Sequence, residues 1–217
     1  MIDQLNTLIK TMLADAFVSP QALPQCPNIE LYLVDPSTMT RAFSLDEIRS
    51  IWENTAYWAF CWASGQVLAK YILDHPEWVR GKRVLDFGAG SGIVAIAAKK
   101  AGATSVIACD IDPDALISCQ ANAQLNNIEL ITSDDLFALD KHSFDCLIAA
   151  DVLYDRSNLS FLDQFFDYAP EVLLADSRIK DFSHTHYTHL NRIESFTVPD
   201  LDELDEFRWV NLYQGKR

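Results

Sequence analysis

The hydrophobic positions of this chain change period as it runs. Leu5, Leu8, Ile9, Met12, Leu13 and Phe17 recur at helical spacing and predict an amphipathic N-terminal helix. Pro20, Pro24 and Pro27 then punctuate the chain. "IELYLVD" predicts a short strand, and "SLDEIRSIW" a helix with Ser44 as its cap and Glu47 at the capping-box position. A further helix is expected from Gln66 to Val79, ending near Gly81. Beyond Arg83 the texture changes. Apolar runs "RVLDF", "SVIACD", "IELIT", "FDCLIAA" and "EVLLAD" alternate with helical patterns after Gly92, after Pro113 and around Leu159 to Tyr168. Strands this continuously apolar are covered on both faces, which predicts a parallel sheet flanked by helices. Near the C-terminus "RIESFTV" and "EFRWVNLYQ" are joined by "PDLDELD", too short for a crossover helix, so these two strands are expected to be antiparallel. No linker divides the chain. Residues 1–56 read as an N-terminal helical and β extension packed on an α/β core formed by residues 57–217.

Composition narrows the function classes. The 217 residues are 49% hydrophobic and 22% charged, a globular mixture with no run of membrane-spanning length and no signal-peptide core, so the expected location is the cytoplasm and no membrane partner is expected. Seventeen Lys and Arg against 31 Asp and Glu give a net charge of −14, which argues against nucleic acid as a partner. The acidity serves solubility or favours a cationic substrate such as a protein lysine. Five scattered cysteines without a CxxC pair signal neither a disulfide framework nor a zinc site. "SHTHYTHL" lacks a paired carboxylate or cysteine, so no metal is assigned to His184, His186 and His189.

The chemistry concentrates in "VLDFGAGSGIVAIAA". Gly88, Gly90 and Gly92 sit between a buried strand and a helix, at the carboxyl end where open α/β sheets bind ligands. Glycine lets main chain approach a ligand closely, and the following helix offers its positive end. The spacing is G-x-G-x-G, with Ile93 where the dinucleotide motif has its third glycine, which disfavours a dehydrogenase. Asp86 points to a ligand with a cationic end, and Asp110 ends the next strand where an acid takes ribose hydroxyls. A nucleoside with an amino group and a sulfonium fits better than a pyrophosphate, and that ligand is S-adenosylmethionine.

The arrangement resembles the seven-stranded S-adenosylmethionine-dependent methyltransferases: "VLDFGAGSG" resembles their first motif, "CDIDPDAL" the second and "SDDLF" the third. The resemblance implies a Rossmann-like sheet, mostly parallel with one antiparallel strand and helices on both faces. It implies Asp110 on the ribose, Ile111 against the adenine, Asp135 near the adenine amino group with Leu136 beside it, and leaves open whether Asp134 takes the place of Asp135. "AADVLYD" keeps an acid, Asp151, and an aromatic, Tyr154, in a D-x-x-Y ending that resembles the protein-lysine branch of the fold. With "YWAFCWASGQVLAKYIL" upstream, the chain is most similar to bacterial relatives of the electron-transfer-flavoprotein β-subunit lysine methyltransferase. It departs from that family's "WPGGQ" at Ala63 and Ser64, and from an expected D-P-x-R in "AADSR".

The expected activity is therefore transfer of a methyl group to lysine of a protein substrate. Asp151 is expected to hold the amine's lone pair towards the methyl, Tyr154 to pack along the lysine stem or hydrogen-bond at the mouth, and Trp62 to wall the cofactor. Trp58 is either core or a second wall. A carboxylate favours the ammonium form, so the proton is expected to leave to water rather than to Asp151. A ribosomal-protein target, a small-molecule N-methyltransferase and a cofactor-binding module without turnover remain open at this stage.

Overall fold

A computed structural model describes residues 1–179, 182–201 and 204–217. The N-terminal segment contains α1 (Ile2–Leu8), strands β1 (Val18–Ala22) and β2 (Glu30–Val34), a single turn of helix α2 (Pro36–Met39) and α3 (Leu45–Glu53). Helix α4 (Ala63–Asp74) leads to β3 (Arg83–Phe87), α5 (Ile93–Lys100), β4 (Ser105–Cys109), α6 (Pro113–Leu125) and β5 (Ile131–Ser133). Then come β6 (Cys146–Ala150), α7 (Phe161–Gln164), β7 (Glu171–Asp176), β8 (Tyr187–Glu194) and β9 (Trp209–Lys216).

Seven strands form one sheet in the order β5-β4-β3-β6-β7-β9-β8. β3 to β7 are mutually parallel and β9 runs antiparallel to both neighbours, which is the expected Rossmann-like sheet. Val84, Leu85 and Asp86 of β3 are all buried, as are Leu147, Ile148 and Ala149 of β6, because helices cover both faces. The chain leaves β3 in one direction for β4 and β5, and returns on the other side as β6. The switch point thus lies at β3, where crevices open in such sheets.

Several boundaries differ from those read in the sequence. The helix of residues 63–74 stops early because Pro76 disfavours helical geometry at His75, whose φ is −126°. The N-terminal helix gives way after Leu8 to a 3-10 turn over Ile9–Thr11. The segment around Leu159 to Tyr168 is one short helix between two 3-10 turns. β8 begins five residues before "RIESFTV", so His189 lies on a strand beside Asn211, with 3.2 Å between Nε2 and Oδ1. Residues 195–198 instead leave the sheet, and Val198 bridges Cys61 ahead of α4. Part of the joining segment "PDLDELD", at 202 and 203, falls outside the described residues. β1 was not anticipated: Pro20 reads as a breaker, but a two-stranded edge tolerates it. The Ser44–Glu47 capping box is present in both directions.

Asn122 ties the N-terminal segment to the core. This fully buried side chain on α6 accepts from the Tyr32 N–H of β2 (2.7 Å) and donates to the Ser91 carbonyl in the glycine loop (2.8 Å). Among the described residues no helix is long and apolar enough to cross a membrane. Replacing Asn122→Ala strands a buried donor and acceptor at once. Urea unfolding is expected to show a loss of about 1–3 kcal/mol, and an unchanged midpoint would count against this tie.

Candidate active site

The glycine turn is built by the end of β3. Gly88 and Ala89 donate to the Cys109 carbonyl at 2.8 and 3.1 Å, so the loop starts already hydrogen-bonded to the end of β4. Gly90 and Gly92 have φ of +52° and +79°, the left-handed region that penalises a Cβ. The two glycines serve different needs. A Cβ on Gly92 would lie 3.1 Å from the Cys119 Cα of α6, so close helix packing requires it. A Cβ on Gly90 would meet nothing within 4 Å. That position presents bare main chain to open space, which is what a closely approaching ligand needs.

Two carboxylates hold this turn. Asp86 is 1% exposed and accepts the Ala95 N–H at 2.9 Å, capping the first turn of α5, whose own N-cap residue Gly92 has no side chain to do so. Burial raises its pKa to about 7, against the pull of the Ala95 N–H. Its contact is thus to the helix behind the loop. Asp110 accepts from Gly90 N–H (2.8 Å) on one oxygen and from Asp112 N–H (3.0 Å) on the other. Burial raises its pKa too, opposed by those two donors. Each carboxylate oxygen has a second lone pair, so Asp110 can brace the turn and still accept from a diol.

Apolar surface lies exposed next to these groups. Ile111 follows Asp110 and is 91% exposed. After β5, Asp135 accepts the Phe137 N–H at 2.7 Å and starts a 3-10 turn that sends Leu136 into the core and leaves Phe137 67% exposed. Asp134 is exposed beside it. Sequence reasoning chose Leu136 as the apolar neighbour; the side chain that stands outward is that of Phe137.

The acceptor side centres on Asp151, which follows β6. Its φ of +51° is a left-handed geometry that Asp tolerates better than most residues. Its carboxylate is surrounded by donors: Ser64 Oγ (2.5 Å), Ser64 N–H (3.1 Å), Ser177 Oγ (2.9 Å) and Ser177 N–H (3.3 Å). Ser64 lies in the first turn of α4, whose N-cap residue Trp62 makes no side-chain cap, so Asp151 caps that helix from another strand. Burial raises the pKa of Asp151, opposed first by the Ser64 and Ser177 hydroxyls. Neither serine was singled out in the sequence, because contacts 87 and 26 residues apart leave no local signal. Asp176, at the end of the adjacent β7, is buried and accepts from the Arg178 and Ile179 N–H groups at 2.8 Å. Burial, then the charge of Asp151, push its pKa up to about 6.

Aromatic rings wall the same end. Tyr154 stacks on Tyr57 at 5.8 Å, and Tyr57 meets Trp62 at 5.8 Å, with Trp62 Nε1 donating to the Tyr57 carbonyl. Trp58 is core, 2% exposed. Tyr57 was the wall residue not foreseen. A surface hollow of about 510 Å³ lined by Lys99, Ser105, Gln120 and Glu129 lies at the opposite end of the strands and takes no part in this arrangement.

The residues fit S-adenosylmethionine. There is space over Gly90, a carboxylate at the end of β4, outward apolar side chains for a purine, and carboxylates with aromatic faces for the cationic amino and sulfonium groups. Fold and site together define an S-adenosylmethionine-dependent methyltransferase of the Rossmann-like class. Comparison with known proteins narrows this. A family model described as "Ribosomal protein L11 methyltransferase (PrmA)" matches residues 68–156. The human electron transfer flavoprotein beta subunit lysine methyltransferase is 35% identical, over 79% of this chain and 68% of that protein. The rat enzyme of the same name is 34% identical, over 82% of this chain and 72% of its own. Among solved structures, a 16S rRNA N2 methyltransferase of T. thermophilus superposes with a TM-score of 0.60 at 13% identity, covering 93% of this chain and 51% of that one, a likeness of fold. The chain belongs to the electron transfer flavoprotein beta subunit lysine methyltransferase family.

Two buried acids with raised pKa set a pH dependence. The folded protein keeps the protons of Asp176 and Asp86 up to about 6 and about 7, whereas the unfolded chain releases them near 3.8. The native state binds more protons between those limits, so their stabilisation is full below about pH 4 and is lost as pH rises through 6 to 7. Glu47 and Asp145, held at about 2 by Arg41 and Arg83, act only at lower pH. The urea midpoint is expected to fall from pH 5 to pH 7.5, and Asp176→Asn to flatten the portion near pH 6. A variant with the wild-type slope would refute the assignment.

Proposed function

We propose that this chain methylates the side-chain amine of lysine in a protein, and that the protein is the beta subunit of the electron transfer flavoprotein. The observation that carries this reading is Asp151, held by Ser64 and Ser177 at the end of β6, with Tyr154 three residues on stacked against Tyr57 and Tyr57 against Trp62. The names of the family's characterised members supply the acceptor. The match to the ribosomal-protein family model is confined to 68–156, which carries the glycine loop, Asp110, Asp135, Asp151 and Tyr154 but neither Tyr57, Trp62 nor Ser64.

Bound at this site, S-adenosylmethionine supplies an electrophilic methyl group on a sulfonium centre. Gly90 lets main chain close on the ligand, Asp110 takes the ribose hydroxyls, and Ile111, Asp135 and Phe137 receive the adenine. Asp86 acts from behind by fixing α5, and Leu136 by filling the core beneath. On the acceptor side Asp151 accepts a hydrogen bond from the lysine nitrogen and aims its lone pair, while Tyr154 and Tyr57 flank the stem. Four donors already saturate much of the Asp151 charge, which weakens its preference for the ammonium form and helps the amine arrive neutral. Residues 57–217 form the methyltransferase unit, and residues 1–56 are an extension that buttresses it.

The test uses tritiated S-adenosylmethionine with lysate from the host and with its purified electron transfer flavoprotein. Asp151→Asn keeps the shape of the site and is expected to lower transfer about 100-fold or more while calorimetry finds cofactor affinity little changed. Asp110→Ala is expected to do the reverse, weakening cofactor binding about tenfold or more. Undiminished transfer in the Asp151 variant, or label on no protein, would reject the reading.

A further inference from the structure

Helix α3 carries a wider apolar stripe than its seat uses. On a helical projection Ile51, Ile48, Trp52 and Leu45 are consecutive around one side. Ile51 packs against the cluster containing Trp58 and Leu13. Ser50 Oγ donates to the Thr11 carbonyl (3.3 Å), and Glu47 receives Arg41 (2.6 Å), which is also paired with Asp15 (2.9 Å). The helix is therefore pinned along one flank, and its capping box fixes the start. The rest of the stripe faces outward: Leu45 is 81% exposed, Trp52 80% and Ile48 40%. Two of three large apolar side chains so fully exposed on one helix is a patch of the kind that marks an interaction surface.

Its position says what covers it. Only Asn54, Thr55 and Ala56 separate α3 from Tyr57, whose ring stacks on Tyr154 at the mouth of the acceptor cleft. Five residues reach at most about 18 Å from Trp52 to Tyr57. The span is shorter here, because Asn54 N–H still closes on the Ser50 carbonyl at 2.9 Å. A protein partner of ordinary interface size covers about 800 Å² on each side, a disc of about 16 Å radius. A folded protein that presents a lysine beside Tyr57 and Tyr154 is thus wide enough to reach α3. The charge is mixed at the stripe's edge, where Arg49 stands next to Leu45 and pairs with Asp46 (3.5 Å), with Glu53 exposed beyond it; the chain as a whole, at net charge −14, suits a lysine-bearing surface.

We propose that Leu45, Ile48 and Trp52 form the docking surface for the folded protein substrate, contacting an apolar patch with a basic rim next to the acceptor lysine. This rests on the lysine-methyltransferase reading above. The surface gives affinity and selects a folded protein over a free amine, while Asp151 and its partners remain responsible for the transfer.

The experiment compares wild type with Trp52→Ser, Leu45→Ser and Trp52→Phe, and with Ile131→Ser, which removes an exposed apolar side chain from the far edge strand β5. The readouts are KM and kcat with purified host electron transfer flavoprotein, S-adenosylmethionine affinity by calorimetry, and sedimentation. Trp52→Ser and Leu45→Ser are expected to raise KM tenfold or more with kcat and cofactor affinity within twofold. Trp52→Phe restores most of the KM, and Ile131→Ser changes nothing. An unchanged KM in Trp52→Ser overturns the docking surface alone, with the acceptor reading intact. A wild-type dimer that Trp52→Ser dissociates gives the stripe to a second copy of this chain and also overturns it. Cofactor binding without any transfer by wild type to the flavoprotein defeats the acceptor assignment first, and the docking surface falls with it.

Discussion

The site depends on one hydrogen bond between a strand-end carboxylate and a glycine amide. Asp110 accepts the Gly90 N–H at 2.8 Å and so locks a left-handed turn at the end of the neighbouring strand. Without that bond the loop would have to find another partner for a part-buried amide, and the open space over Gly90 would not be held. The bond also couples the two strands on which the cofactor site is built. Because the Gly88 and Ala89 amides both donate to Cys109, the residue just before Asp110, the turn is tied to β4 three times over a few residues. Preorganisation of this kind leaves less to be ordered when a ligand arrives.

The same device recurs on the other side of the switch point. Two helices that enter the site, α4 and α5, begin at residues whose side chains cannot cap them, Trp62 and Gly92. Each borrows a carboxylate from the end of a central strand, Asp151 for α4 and Asp86 for α5. Helix starts are thereby registered to the sheet rather than to their own loops, at the carboxyl ends of its central strands. For Asp151 the consequence is a carboxyl group that is fixed and already well satisfied by its four donors. In the lysine-methyltransferase reading such a group is suited to orienting an amine, since its donors fix its position.

Legibility in the sequence follows the range of the interactions concerned. The parallel sheet was readable because burial on both faces writes itself as unbroken apolar runs such as "RVLDF" and "FDCLIAA". The glycine loop was readable because backbone geometry restricts the residue type at Gly90 and Gly92. The Ser44–Glu47 box was readable because its partners are three residues apart. What escaped is non-local or hangs on a single dihedral. Ser64 and Ser177 reach Asp151 from distant segments, and Asn122 joins Tyr32 to Ser91 across 90 and 31 residues. Whether Leu136 or Phe137 faces outward is decided by a 3-10 turn set by Asp135, which composition does not register. The β8 boundary slipped because Ser195 to Val198, though it alternates polar and apolar residues as a strand does, leaves the sheet and Val198 pairs with Cys61.

Asn122 suggests why the N-terminal segment belongs to the working enzyme rather than to its periphery. One face of α6 carries Cys119, whose Sγ contacts the Gly90 carbonyl, Asn122, which holds Ser91, and Ser118, which reaches the Trp58 carbonyl. The glycine loop, the turn that carries Trp58 beside Tyr57, and β2 therefore share a single helix as their rigid reference. A helix packed on a sheet shifts as a unit, since its interior hydrogen bonds are costly to break and its packed side chains leave little free volume. Any strain placed on the acceptor wall is thus shared with the glycine loop about a helix turn away. That physical continuity ties the segment that carries β2 to the glycine loop, although the loop itself lies far later in the chain.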